Sequence, residues 1–136
     1  MNLEIVKSDK IEQHVIEEMK RYTDIFSETD QETAEVVLER SGQEGYSIRK
    51  DAESYIISYR TFPDLCRALL LLSGKEETQT EEVKEQCVFH DFGIMLDLSR
   101  NAVLKVDTVK QMICYAACLG LKFVGLYMED TFLVEE

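Results

Sequence analysis

Apolar positions along this chain switch between a period of two and a period near 3.6, and the switches mark a succession of short strands and helices. Residues 3–7 read as a strand. Asp9, with Glu12 three residues on, forms a capping box for the helix that follows. On that helix Ile11, Val15, Met19, Tyr22 and Ile25 share one face, while Glu12, Glu17, Glu18, Lys20 and Arg21 share the other. Glu17 and Arg21 are spaced to pair across one turn, and His14 sits on the polar side as a solvated surface residue. Residues 27–33 are polar and turn-like, and residues 34–40 make a strand with Val36 and Leu38 on one face.

The segment Ser41-Gly42-Gln43-Glu44-Gly45 reads as a hairpin connection. It is no phosphate loop, because it joins strand to strand and carries no Lys or Ser/Thr at the required spacing. Residues 46–50 and 54–59 then alternate as a strand pair across a turn at Asp51-Ala52-Glu53. Either Tyr46, Ile48, Ile56 and Ser58 or Tyr55, Ile57 and Tyr59 supply the buried face. Thr61 caps the next helix, Pro63 suits its first turn, Leu65, Ala68, Leu69 and Leu72 form its apolar stripe, and Gly74 ends it.

Residues 75–84 are rich in Glu and Thr and lack apolar periodicity, which marks a linker. A strand over 86–89 leads into residues 92–98, a near-continuous apolar run expected of a parallel strand covered on both faces. Asp107 offers a cap to a helix carrying Val109, Met112, Ile113, Ala116 and Ala117, which Gly120 stops. Residues 122–128 form another apolar strand. The expected class is α+β. Residues 1–74 form a domain with helices on one face of a mainly antiparallel sheet, 75–85 a linker, and 86–136 one βαβ unit.

Composition narrows the possibilities. Hydrophobic content of 45% is that of a globular chain, and a formal charge of −12 argues against nucleic acid and anionic membranes as partners. No run is long enough to span a bilayer and no signal peptide is visible at the first residues, so the cytoplasm is the expected location. Cys66, Cys87, Cys114 and Cys118 form no Cys-x-x-Cys pair and read as reduced core residues. Cys114 and Cys118 lie one helical turn apart, but no His or third Cys sits at ligand spacing to make them a metal site.

Polar groups gather past the carboxyl ends of the two late strands, where βαβ units carry their ligands. Asp97, Ser99, Arg100 and Asn101 follow the first, and Glu129 and Asp130 the second. Arg100 has the planar fork to hold vicinal hydroxyls or a carboxylate. The blander role is a loop-bracing ion pair with Asp97, the one charge inside its apolar strand. Glu129 and Asp130 are rim candidates of which at most one faces the site, since neighbouring strand residues point oppositely.

The run Met95-Leu96-Asp97-Leu98-Ser99-Arg100-Asn101-Ala102-Val103, followed by Lys105-Val106-Asp107 and by Leu126-Tyr127-Met128-Glu129-Asp130-Thr131, resembles the opening of the catalytic barrel of glycoside hydrolase family 20, the exo-acting β-N-acetylhexosaminidases. The Ser-Arg-Asn-Ala-Val and Tyr-x-Glu-Asp-Thr forms are similar to one bacterial branch of it. The stretch from Gly45-Tyr46 to Leu72 resembles, less specifically, the α+β domain that precedes that barrel.

The resemblance implies a (β/α)8 barrel of which this chain holds two strands and one helix, since a barrel needs about 250 residues. It implies a parent enzyme that removes terminal β-linked N-acetylhexosamine by a retaining, substrate-assisted mechanism, without metal or organic cofactor. The matching Arg, here Arg100, would bind hydroxyls of the terminal sugar, with Asp97 in support. The family's catalytic Asp-Glu pair and its pocket tryptophans are absent from these residues, so the piece alone is expected to be inactive. Two barrel strands without neighbours are expected to join copies into a homo-oligomer. The competing reading is a non-enzymatic α+β module that binds a protein partner.

Overall fold

The computed structural model describes residues 2–26, 33–52, 54–74, 82–99 and 103–129. The elements are β1 (Asn2–Lys7), α1 (Lys10–Tyr22), β2 (Thr33–Arg40), β3 (Tyr46–Asp51), β4 (Ser54–Tyr59), α2 (Phe62–Ser73), β5 (Glu82–Glu85), β6 (Gly93–Asp97), α3 (Val106–Cys118) and β7 (Phe123–Tyr127). They make an α+β structure of one five-stranded and one two-stranded sheet. No described helix is long and apolar enough to cross a membrane.

The first sheet has the order β1-β2-β4-β3-β5 and is mixed. β1–β2 and β2–β4 run parallel, whereas β4–β3 and β3–β5 run antiparallel, which corrects the expectation of a mainly antiparallel sheet. Helix α1 is the crossover that permits the parallel β1–β2 pair. Ser41–Gly45 is accordingly no hairpin connection: β4 lies between the two strands that it joins. Alternation reveals which face of a strand is buried but not which strand lies beside it. A second correction concerns β5. The strand expected over 86–89 lies instead at Glu82–Glu85, inside the stretch read as linker, and forms the edge of this sheet.

One face of the sheet is dry. Leu3, Ala34, Val36, Leu38, Tyr46, Ile48, Tyr55, Ile57 and Tyr59 meet Ile16 and Met19 of α1 and Leu65, Cys66, Ala68, Leu69 and Leu72 of α2 in one core. Tyr46 and Ile48 therefore share the buried face with the Tyr55, Ile57 and Tyr59 set, while Ile56 and Ser58 are only half-buried.

The capping box of Asp9 and Glu12 forms as expected, but α1 is rotated from its apolar periodicity. Glu12 is buried and Ile11 is 58% exposed. Glu12 accepts a hydrogen bond from the Tyr59 hydroxyl, accepts another from the Asp9 amide at 2.6 Å, and has Arg40 Nε at 3.6 Å. Three partners offset the cost of removing one carboxylate from water. Burial first, and then donation to Glu12, pushes the Tyr59 phenol well above its ordinary pKa. Arg21 pairs with Glu18 at 3.1 Å rather than with Glu17.

A second tyrosine ties β5 down. Tyr46 donates to Glu85, which also accepts from Arg67 Nε at 3.1 Å, and these bonds hold the Glu85 carboxyl below the usual carboxylate range. A depressed carboxylate stabilises above its unfolded pKa, and that contribution is lost as pH falls through the folded value. Acidification from pH 6 to pH 3 is therefore expected to free β5 before the rest of the sheet. Amide exchange at 82–85 would report it; simultaneous loss of protection in β2 and β4 would count against it.

Candidate functional site

The second sheet is built as the sequence pattern implies, with one correction at its helix. Asp107 lies within the first turn of α3, not at its cap. The N-cap is Lys105, which makes no side-chain bond to the helix, and Asp107 accepts from the Tyr22 hydroxyl at 3.3 Å. Strands β6 and β7 pair in parallel register from Gly93↔Phe123 to Asp97↔Tyr127, and α3 joins them. The βαβ unit packs on α2 and the five-stranded sheet through α3, whose Cys118 enters the main core and whose Ala117 packs against it.

Beyond α3, Lys122 Nζ donates to Asp64 Oδ1 at 3.2 Å and to Thr61 Oγ1 at 3.3 Å, so the residue leading into β7 is bonded to the N-terminus of α2. Asp64 also caps that helix by accepting from the Thr61 amide at 2.9 Å. The thiols make no such contribution. All four cysteines are free, with Cys66 and Cys118 buried and Cys87 and Cys114 partly exposed. Burial pushes Cys66 up to about 12 and Cys118 up to about 11, which leaves both protonated and inert near neutrality.

Parallel register places paired residues on the same face. Ile94, Leu96 and Val124 lie on the covered face, and Leu96 is buried. Gly93, Met95, Asp97, Phe123, Gly125 and Tyr127 make up the other, which is open: Met95 is 73% exposed. The expectation that this run is covered on both faces is thus corrected. Large and small residues alternate across the open face. The Phe123 ring lies over Gly93, where an added Cβ would meet it at 2.7 Å, and Met95 lies over Gly125 at 3.7 Å.

At the carboxyl end of both strands the open face becomes polar. Asp97 is exposed, not buried as its apolar surroundings suggested, and its Oδ1 accepts from the Ser99 amide at 2.9 Å and from Ser99 Oγ at 2.7 Å. Beside it Tyr127 donates to Glu129 Oε1 at 2.9 Å, and this bond, ahead of the nearby Asp97 charge, raises the phenol above its ordinary pKa. Glu129 has a φ of 43°, a left-handed conformation rare outside glycine, and the turn brings its carboxylate back to the Asp97 side.

Asp97, Ser99, Tyr127 and Glu129 therefore converge on one rim. Arg100, Asn101 and Asp130, and with them the Asp97–Arg100 ion pair, lie outside the described residues. Tyr127 was missed in the sequence; the signal for it is the register itself, since it is the strand partner of Asp97. Among the described residues no three His, Cys, Asp or Glu side chains are grouped to hold a metal ion.

No family model and no curated protein matches the sequence. Solved structures do match. The exo-β-N-acetylglucosaminidase of Vibrio harveyi, solved with N-acetylglucosamine, is similar over 92% of this chain and 21% of its own, with a TM-score of 0.61 and 20% identity. The fold is that of a segment of glycoside hydrolase family 20 enzymes. The β-N-acetylhexosaminidase of Streptomyces coelicolor gives a TM-score of 0.59 at 17% identity, over 93% of this chain and 30% of that one. The Flavobacterium johnsoniae chitobiase gives 0.53 at 19% identity, over 93% and 23%. The present chain thus spans less than a third of each family 20 enzyme, and the likeness covers all but 7–8% of its own residues.

Proposed function

We propose that this chain is the leading segment of a family 20 glycoside hydrolase, comprising the domain before the barrel and the first βαβ unit of the (β/α)8 barrel itself. The parent protein removes terminal β-linked N-acetylhexosamine with retention, the substrate's own acetamido group acting as nucleophile. The observation that carries this reading is that one fold likeness runs through both parts of the chain, over 92% of its length. Of the quoted motif residues, Asp97, Ser99, Tyr127 and Glu129 lie at the carboxyl ends of β6 and β7. Arg100, the residue after Ser99 in the sequence, is assigned to the hydroxyls of the terminal sugar, with Asp97 and one of Glu129 and Asp130 in support on the rim. The parent is taken to work in the cytoplasm without metal or organic cofactor.

The tests are direct. Reading the coding frame past Glu136 is expected to reveal an Asp-Glu dipeptide and several tryptophans; an immediate stop codon would favour a binding module instead. Purified 1–136 should not turn over a chromogenic N-acetylglucosaminide, because it contains neither the Asp-Glu dipeptide nor any tryptophan. Measurable turnover would contradict the assignment of catalysis to residues outside this chain.

A further inference from the structure

We propose that Tyr127 is a positioning residue of the rim, which holds Glu129, rather than its neighbour Asp130, as the carboxylate that receives a hydroxyl of the terminal sugar. The inference rests on the enzyme reading above and narrows it, since that reading leaves the choice between Glu129 and Asp130 open.

Register supplies the first support. Tyr127 is the strand partner of Asp97, so the two side chains leave neighbouring strands on one face at the carboxyl end, where such a unit holds its ligands. In a barrel the covered face of these strands meets the helices, and the face of Asp97 and Tyr127 is the interior one, at the mouth of the site.

The second support is the bond itself. The Tyr127 hydroxyl donates to Glu129 Oε1 at 2.9 Å. Glu129 has a φ of 43°, and a strained backbone persists only where its surroundings hold it. Asp97 is oriented in the same way on the other strand, its Oδ1 accepting from Ser99 Oγ at 2.7 Å. Each rim carboxylate is thus aimed by a hydroxyl two residues away. With Oε1 taken by the phenol, Oε2 of Glu129 is the oxygen left to accept from a sugar hydroxyl, and little ordering remains to be done when the sugar arrives. Donation to Glu129 raises the Tyr127 phenol above its ordinary pKa, so it stays a donor at neutral pH.

The contact is tested first in 1–136 itself, by following the ring carbons of Tyr127 by NMR as pH rises. The phenol should titrate above its ordinary value in the wild type and in Asp130→Asn, and fall back in Glu129→Gln. A titration indifferent to Glu129→Gln overturns the proposal, whatever the parent enzyme does. In the full-length enzyme, Glu129→Gln should raise KM for a chromogenic N-acetylglucosaminide about tenfold with little change in kcat, the mark of a lost hydrogen bond to a charged group. Tyr127→Phe should raise KM about threefold, and the double variant should be no worse than Glu129→Gln alone, because Tyr127 acts only through Glu129. Additive losses would give Tyr127 a separate role, and a larger effect of Asp130→Asn than of Glu129→Gln would move the assignment to Asp130; either result overturns the proposal. A wild-type full-length protein without turnover refutes the enzyme reading, and this inference with it.

Discussion

Asp64→Ala is expected to lower stability by about 3 kcal/mol, more than any other single side-chain deletion at the contact between the two sheets' helices. The residue is 5% exposed and serves two elements at once. Its Oδ2 accepts from the Thr61 amide and from Thr61 Oγ1 at 2.6 Å, closing the N-terminus of α2, while its Oδ1 receives Lys122 from the start of β7. Removing the carboxylate costs about 1 kcal/mol for the lost cap. It also strands the Lys122 ammonium, whose side chain is only 24% exposed. The loss there stays below the upper range for a buried pair because that ammonium can still reach water.

For a chain of this size the drop corresponds to roughly 10 °C in Tm. Thermal unfolding followed by circular dichroism would measure it. Lys122→Met is the informative companion. It leaves Asp64 bonded to Thr61 and should cost about 1 kcal/mol, the scale of a single hydrogen bond. Equal losses in the two variants would assign the whole effect to the Asp64–Lys122 pair and none to the cap, whereas a Tm for Asp64→Ala within a degree of wild type would show that Asp64 does not couple the two units.

Gly45→Ala has the second-largest expected effect, again about 3 kcal/mol, of which the left-handed backbone supplies about 1–2. Gly45 has a φ of +79°, and a Cβ added there would stand 2.1 Å from the Glu85 carbonyl oxygen and 2.9 Å from the Gln86 Cα. Both obstacles are backbone, so only movement of β5 away from β3 relieves the clash. That movement breaks the Tyr46–Glu85 and Arg67–Glu85 bonds. Hydrogen exchange should show lost protection at 82–85 while β1, β2 and β4 keep theirs. Gly42→Ala is the control: it lies in the same loop, at a φ outside the left-handed range and with nothing within 4 Å, and should change stability by a few tenths of a kcal/mol. A neutral Gly45→Ala would mean that β5 is held less closely than the bonds of Tyr46 and Arg67 to Glu85 imply.

The candidate rim was legible to the extent that it depends on chain position. Asp97, Ser99 and Glu129 fall at strand ends, and a parallel βαβ unit puts those ends together. Tyr127 was not legible, because the partner of Asp97 follows from register, which the apolar runs at 92–98 and 122–128 leave open by one or two residues. The convergence of Glu129 with that face depends on one left-handed residue, which no local propensity favours for glutamate.

What the sequence determined by itself is local. The Asp9–Glu12 capping box, the Thr61 cap, the helix stops and the inward positions of β2 and α2 follow from groups a few residues apart, whose hydrogen bonds and periodicity need no distant partner. Tertiary structure alone decided the parallel β2–β4 pairing, the recruitment of β5 as an edge, the rotation of α1 and the burial of Glu12. Glu12 can enter the core only because Tyr59, 47 residues away, and Arg40 arrive there to satisfy it. An isolated carboxylate avoids burial, so no periodicity could announce that one.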